Sequence, residues 1–168
     1  MLNKAGVLSR FSMIVAGALA LAVTAFASSA MASGPFKWHP APNHFTLAGD
    51  LTFSQSITIV CRVEVDVEVD ANGHATVKDR RFLPGNPLFC GSVVNPFGTW
   101  TLTADSPTQV TASVGSSSIA GSCFGNITGS WDNATSTLSF SGASVPGTPG
   151  PCTVSGDLVS DDPNVEIK

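Results

Sequence analysis

The stretch Cys61 to Asp70 reads C-R-V-E-V-D-V-E-V-D. Its even positions Arg62, Glu64, Asp66, Glu68 and Asp70 are all charged, and the acids Glu64, Asp66, Glu68 and Asp70 form the best candidate for a cation site. Calcium requires six to eight oxygens at about 2.3–2.6 Å. Same-face neighbours on a strand stand roughly 6.5 Å apart, so this ladder chelates an ion only with help from loops. Hairpin pairing also brings Lys78 and Arg80 among these acids. The expected state is a solvated, partly ion-paired face. Calcium is the sharper alternative, and no cofactor or metal is assigned.

Other reactive side chains are sparse. His39 and His44 lie in or beside a proline-rich arm, and His74 lies in a tight turn. A nucleophile–histidine device needs the imidazole held by packing beside the nucleophile, and none of the three is so placed. No G-x-S-x-G or H-E-x-x-H occurs, and tyrosine is absent. Nothing in the spacing of Asp105, Asp132 and Asp157 marks a carboxylate pair. The chain reads as a non-enzyme. Trp100 and Trp131 have apolar same-parity neighbours and read as core rather than as sugar platforms. Asn126-Ile127-Thr128 and Asn133-Ala134-Thr135 match the N-glycan acceptor pattern.

The four cysteines, Cys61, Cys90, Cys123 and Cys152, form no C-x-x-C. In an exported chain an even set reads as disulfides, with three possible pairings. Cys61–Cys90 and Cys123–Cys152 have equal separations, and this local pairing is favoured. Each such loop would contribute about 3–4 kcal/mol in the chain-entropy model.

The elements that position these residues are strands. Along Cys61 to Asp70 the odd positions are apolar, so one face meets a core and the other meets water. Asn72-Gly73 signals a hairpin. A two-residue loop would mix the faces. A loop of three or five residues, or a bulge, keeps apolar with apolar and acid with base. Short alternating runs follow at Trp100/Leu102/Ala104, Val110/Ala112/Val114, Ile127/Trp131, Leu138/Phe140 and Cys152/Val154/Leu158. No sustained helical period appears after the N-terminal segment. The expected fold is a single all-β domain over 44–168, a disulfide-stabilised antiparallel β-sandwich or jelly roll.

Ahead of that domain, Lys4 and Arg10 form a positive head, Phe11 to Ala27 is apolar, and Ala30-Met31-Ala32 fits a cleavage site. Residues 1–32 therefore read as a cleaved secretory signal, too short in its apolar core for a typical membrane anchor. The expected location is secreted, extracellular or at the cell surface, by way of the periplasm if the cell has an outer membrane. Residues 33–43 (SGPFKWHPAPN) read as a proline-rich extended arm carrying Phe36 and Trp38. The arm is either a mobile leader or a strand that docks on a neighbouring subunit.

Cleavage after Ala32 leaves a net charge of (8 − 2) − 12 = −6. Six scattered cations form no basic stripe, which excludes nucleic acid as the expected partner. Low charge and a hydroxyl-rich surface make self-association plausible.

The second half has a recognisable grain: Gly121-Ser122-Cys123-Phe124-Gly125-Asn126-Ile127-Thr128-Gly129-Ser130-Trp131-Asp132-Asn133, Leu138-Ser139-Phe140-Ser141-Gly142-Ala143, Cys152-Thr153-Val154-Ser155-Gly156-Asp157-Leu158 and Pro163-Asn164-Val165-Glu166-Ile167. With Cys61 and Cys90 upstream, the chain resembles the secreted bacterial alkane-oxidation activators of the PraA/PraB type, over roughly His44 to Ile167. The resemblance implies an exported accessory protein that promotes growth on long-chain alkanes, at the cell surface or the oil–water boundary. It brings no catalytic residue. The expected partner is hydrophobic substrate or the cell surface. The alternatives are a subunit of a surface fibre or biofilm matrix, and a carbohydrate- or calcium-binding module.

Overall fold

Alternating valines and charges build the strand Thr58–Val69, and the same period-2 logic recurs along the chain. A computed structural model describes residues 36–84, 90–91 and 94–168. The segment 1–32 read as an export signal lies outside these residues. The strands are β1 (Trp38–His39), β2 (Asn43–Ser54), β3 (Thr58–Val69), β4 (Ala75–Leu83), β5 (Val94–Pro96), β6 (Thr101–Ser106), β7 (Gln109–Ser118), β8 (Gly121–Asp132), β9 (Thr137–Val145), β10 (Gly147–Thr148), β11 (Cys152–Ser160) and β12 (Glu166–Ile167).

The all-β expectation holds, but the sandwich and jelly roll do not. Strands run in the order β8-β9-β11-β2-β3-β4-β6-β7, and β7 pairs back onto β8, closing an eight-stranded barrel. The long β7–β8 ladder, from Gln109↔Ser130 to Ser118↔Gly121, supplies the closure. Two pairings away the ring is thin: β4 meets β6 only at Thr76↔Thr101. Alternation puts one face inward in a sandwich and in a barrel alike, so it does not separate the two. An eight-stranded barrel is just narrow enough for side chains to fill. Leu47, Val65, Leu102, Val110, Ala112, Ile127, Leu138, Val154 and Leu158 are all buried in the core.

The β3–β4 turn takes five residues, with Val69 opposite Ala75 and Val67 opposite Val77. A bulge then shifts the register, so that Asp66 faces Asp79 and Glu64 faces Arg81. The shift corrects one expectation. Arg81, not Arg80, joins the acids, while Arg80 donates to the Gly98 carbonyl and lies 5.9 Å from the centre of the Trp100 ring.

One end of the barrel is plugged. β1 pairs with β12 through Trp38↔Ile167, and Trp38, 1% exposed, lies 5.0 Å from Trp131 and 5.8 Å from Phe45 between ring centres. The described part of the arm, residues 36–43, therefore packs on this domain. Trp38 packs into this domain's own core, and Phe36 packs, partly buried, against the same core. The interior face that alternation creates would be open to water at this end without that indole.

Candidate functional site at the uncharged end of the barrel

The ends of the barrel differ in chemistry. The plugged end gathers the β3–β4 turn, the β6–β7 turn at Pro107-Thr108, the β8–β9 turn from Asn133 to Ser136, and the segment after β11. Charge is frequent there: Lys37, Asp70, Asp132, Asp161, Asp162, Glu166 and Lys168. The other end gathers the β2–β3 turn at Gln55-Ser56-Ile57, the β7–β8 turn at Ile119-Ala120, β5, β10, and the loop Pro149-Gly150-Pro151. No charged residue occurs in 53–60, 94–98, 114–126 or 143–156.

Large apolar side chains stand exposed at this uncharged end: Ile119 at 81%, Phe124 at 50%, Ile57 at 43% and Phe97 at 37%. Phe97 and Phe124 stack with ring centres 5.9 Å apart. Gly115 makes the stack possible, because a Cβ there would come within 2.8 Å of the Phe124 ring. A hairpin tip normally carries polar residues. Isoleucine at two tips and a stacked phenylalanine pair on the adjoining wall place apolar side chains at this end, with the Arg80 guanidinium, bonded to the Gly98 carbonyl, beside the phenylalanine pair. Gln55 ties the β2–β3 tip to the proline-rich loop by donating to the Gly150 carbonyl at 2.6 Å.

Both disulfides brace this end. Cys61 joins Cys90 and Cys123 joins Cys152, with Cα separations of 5.3 and 6.1 Å. Cys61 lies three residues from the start of β3, Cys123 two residues from the start of β8, and Cys152 opens β11. The bonds thus fasten the roots of the loops that carry the apolar tips. Disulfides persist in oxidising compartments.

Behind the rim, the barrel holds an apolar cavity of about 40 Å³, lined by residues such as Leu51, Phe53, Val114, Phe140 and Val145. A cavity that binds benzene measures about 150 Å³. A long alkane therefore has no room inside, and contact with one would be made on the outer surface.

The acidic ladder lies on the barrel wall, away from the apolar tips. Arg81 reaches Glu64 at 3.3 Å and Asp66 at 3.5 Å, Lys78 reaches Glu68 at 2.8 Å, and Thr46 donates to Asp66 at 3.1 Å. Asp70 turns away from the other acids. It accepts from the backbone of His74 and Asn72 and pairs with the His74 ring. These contacts, led by the His74 backbone N–H, hold its carboxyl down at about 2. Among the described residues no group of three His, Cys, Asp or Glu side chains is arranged to hold a metal ion.

Sequence reasoning did not single out Ile57, Ile119, Phe97 or Phe124 as a surface. The available signal was an isoleucine flanked by serine or alanine in turn positions. What was missing was which turns share an end. Of the two glycan acceptor patterns, Asn126 is exposed on β8, whereas the Asn133 side chain is occupied by hydrogen bonds to Trp131, Pro107 and Ile167.

No curated protein and no solved structure matches the chain. A family model described as alkane oxidation protein activator, PraA/PraB-like, matches residues 8–168. That match spans nearly the whole chain, and the chain belongs to the PraA/PraB-like family of alkane oxidation protein activators.

Proposed function

We propose that this protein is an exported, non-enzymatic accessory factor that promotes use of long-chain alkanes by seating its uncharged barrel end on an apolar phase. The carrying observation is the separation of chemistry along the barrel axis. Ile57, Ile119, Phe97 and Phe124 stand exposed on segments that carry no charged residue, with Arg80 beside the phenylalanine pair, and the charged residues at the opposite tips stay in water. Each square ångström of apolar surface withdrawn from water contributes about 25 cal/mol, so a few exposed side chains suffice for reversible attachment to a droplet or a lipid-coated surface. The small interior cavity favours surface contact over carriage of the alkane inside the barrel.

The test is partition of the purified protein to a hexadecane–water interface, followed by tension and by depletion from the aqueous phase. The doubly substituted Ile57→Asp/Ile119→Asp protein should keep its melting temperature and lose most of its interfacial activity. Equal partition of the two proteins would refute the proposed orientation. No partition by either would refute interfacial action altogether. In cells, a strain lacking the gene should grow poorly on hexadecane but normally on a soluble carbon source, and added protein should restore growth.

A further inference from the structure

The bulge between β3 and β4 sends one arginine away from the acids. After the register shift at Asp66 and Val67, Arg81 lies opposite Glu64, while Arg80 lies opposite Val65 and shares the parity of buried Phe82. A shift of one residue moves a side chain to the other face of its strand. Arg81 takes the carboxylates of Glu64 and Asp66. Among the described residues Arg80 pairs with no carboxylate. Asp79 accepts the Arg80 backbone N–H at 2.8 Å and turns its other oxygen toward Arg81 at 3.8 Å. Arg62 also lacks a carboxylate, but its side chain is exposed to water, whereas Arg80 is half-buried.

The Arg80 guanidinium carries five N–H donors. Among the described residues it has one partner, the Gly98 carbonyl, and its Nε is buried with none. It stands over the Trp100 ring at 5.9 Å, and the Trp100 indole donates to the Phe97 and Gly115 carbonyls at 3.2 and 3.1 Å. Gly98 lies against the stacked pair, since a Cβ there would come within 2.7 Å of the Phe124 ring. A half-buried cation thus borders two exposed phenylalanines without a counter-charge. Cation–π contact offsets part of the desolvation cost but satisfies no N–H. A small inorganic anion would supply the charge and leave the rings wet. An alkane would cover the rings and leave the guanidinium unpaired. Nucleic acid calls for a series of cations, and there is one here. The ligand that answers both features has a single anionic head and an apolar chain. A planar carboxylate matches the guanidinium fork.

We infer that Arg80 and the Phe97–Phe124 pair form a binding site for an ionised long-chain carboxylate, its head on the guanidinium and its chain laid on the two rings. Such a molecule is an alkane chain with one charged end. The inference therefore rests on the interfacial reading of this end of the barrel and deepens it, because the surface that meets an apolar phase would also select chains by their head group.

Isothermal titration of the purified protein with decanoate, decanol, decyltrimethylammonium and acetate tests the assignment, at a pH that ionises the acids and below the concentrations at which the amphiphiles form micelles. Decanoate should bind roughly tenfold or more tighter than decanol or the ammonium, as expected for a hydrogen-bonded charge pair. Acetate, lacking the chain, should not bind. The Arg80 Nε–H resonance should shift as decanoate is added. Arg80→Gln should reduce decanoate to the affinity of decanol, and Arg80→Lys should recover part of the difference. Equal binding of decanoate and decanol by the unaltered protein overturns the inference whatever the variants do. So does full decanoate affinity in an Arg80→Gln protein that melts normally, or acetate binding as tight as decanoate. These ligands are dissolved singly, so their binding is read without an interface. Partition to hexadecane with no preference for decanoate would sink the carboxylate assignment alone, and a preference for decanoate with no partition would sink interfacial action alone.

Discussion

The side chain of Asn133 acts as a strand partner for Ile167. Its Oδ1 accepts from the Ile167 backbone N–H at 2.7 Å, and its Nδ2 donates to the Ile167 carbonyl at 3.1 Å. The same amide accepts from the Trp131 indole at 2.7 Å and donates to the Pro107 carbonyl at 3.3 Å. One side chain therefore joins the β6–β7 turn, β8 and the C-terminal strand that helps plug the barrel end. Ser136, fully buried, secures the segment before that strand through its bonds to Pro163 and Val165.

Asn133→Ala should destabilise the fold by about 2 kcal/mol, since it leaves the Trp131 indole and the Ile167 backbone without partners. Urea unfolding measures this. Asn133→Asp should rescue only part of the loss, because it restores the acceptor and not the donors.

Trp38→Ala should cost about 3–5 kcal/mol, the usual range for emptying a large buried aromatic site. Deleting residues 33–43 should cost at least as much and leave the sedimentation behaviour of the remaining folded fraction unchanged. If the deletion instead dissolved an oligomer while the monomer kept its stability, the arm would be a docking element after all.

Removing either disulfide with paired alanines should lower stability by about 3–4 kcal/mol for loops of this length. The Cys123→Ala/Cys152→Ala protein should also lose hydrogen-exchange protection selectively at β10 and the β7–β8 tip, since that bond fastens their roots. Uniform loss of protection across the barrel would contradict this.

Acid should weaken the plugged end first. Asp70 sits at about 2, held down chiefly by the His74 backbone N–H. The Asp132 carboxyl is lowered chiefly by the Ala134 backbone N–H, and that of Asp162 chiefly by the Asn164 backbone N–H. A carboxyl depressed in the folded state contributes stability above its unfolded value near 3.9 and loses it as pH falls through the folded value. The urea midpoint should therefore drop between about pH 4 and pH 2. Asp70→Asn should flatten part of that drop, and an unchanged pH profile would show that the turn contacts are not made in solution.

Much of the architecture is legible in the residues alone. Alternation in Cys61–Asp70 identifies the strand and its buried face, and Asn72-Gly73 locates the hairpin, because a period of two and a turn's backbone demands are local properties. Barrel and sandwich are not separable on those grounds. Closure depends on strand stagger and on β7 pairing back to β8, while inward and outward alternation is common to both. The bulge that exchanges Arg80 for Arg81 is likewise hidden, since one extra residue changes parity without changing composition.

The sequence by itself determined the all-β class, the charge pattern and the supply of cysteines, since each follows from residue type and local spacing. Only the tertiary structure decided that Ile57, Ile119, Phe97 and Phe124 share one end of the barrel and that Trp38 seals the opposite end. Those are relations between segments far apart in the chain. They are fixed by which strands pair and in what register, and no local pattern encodes that.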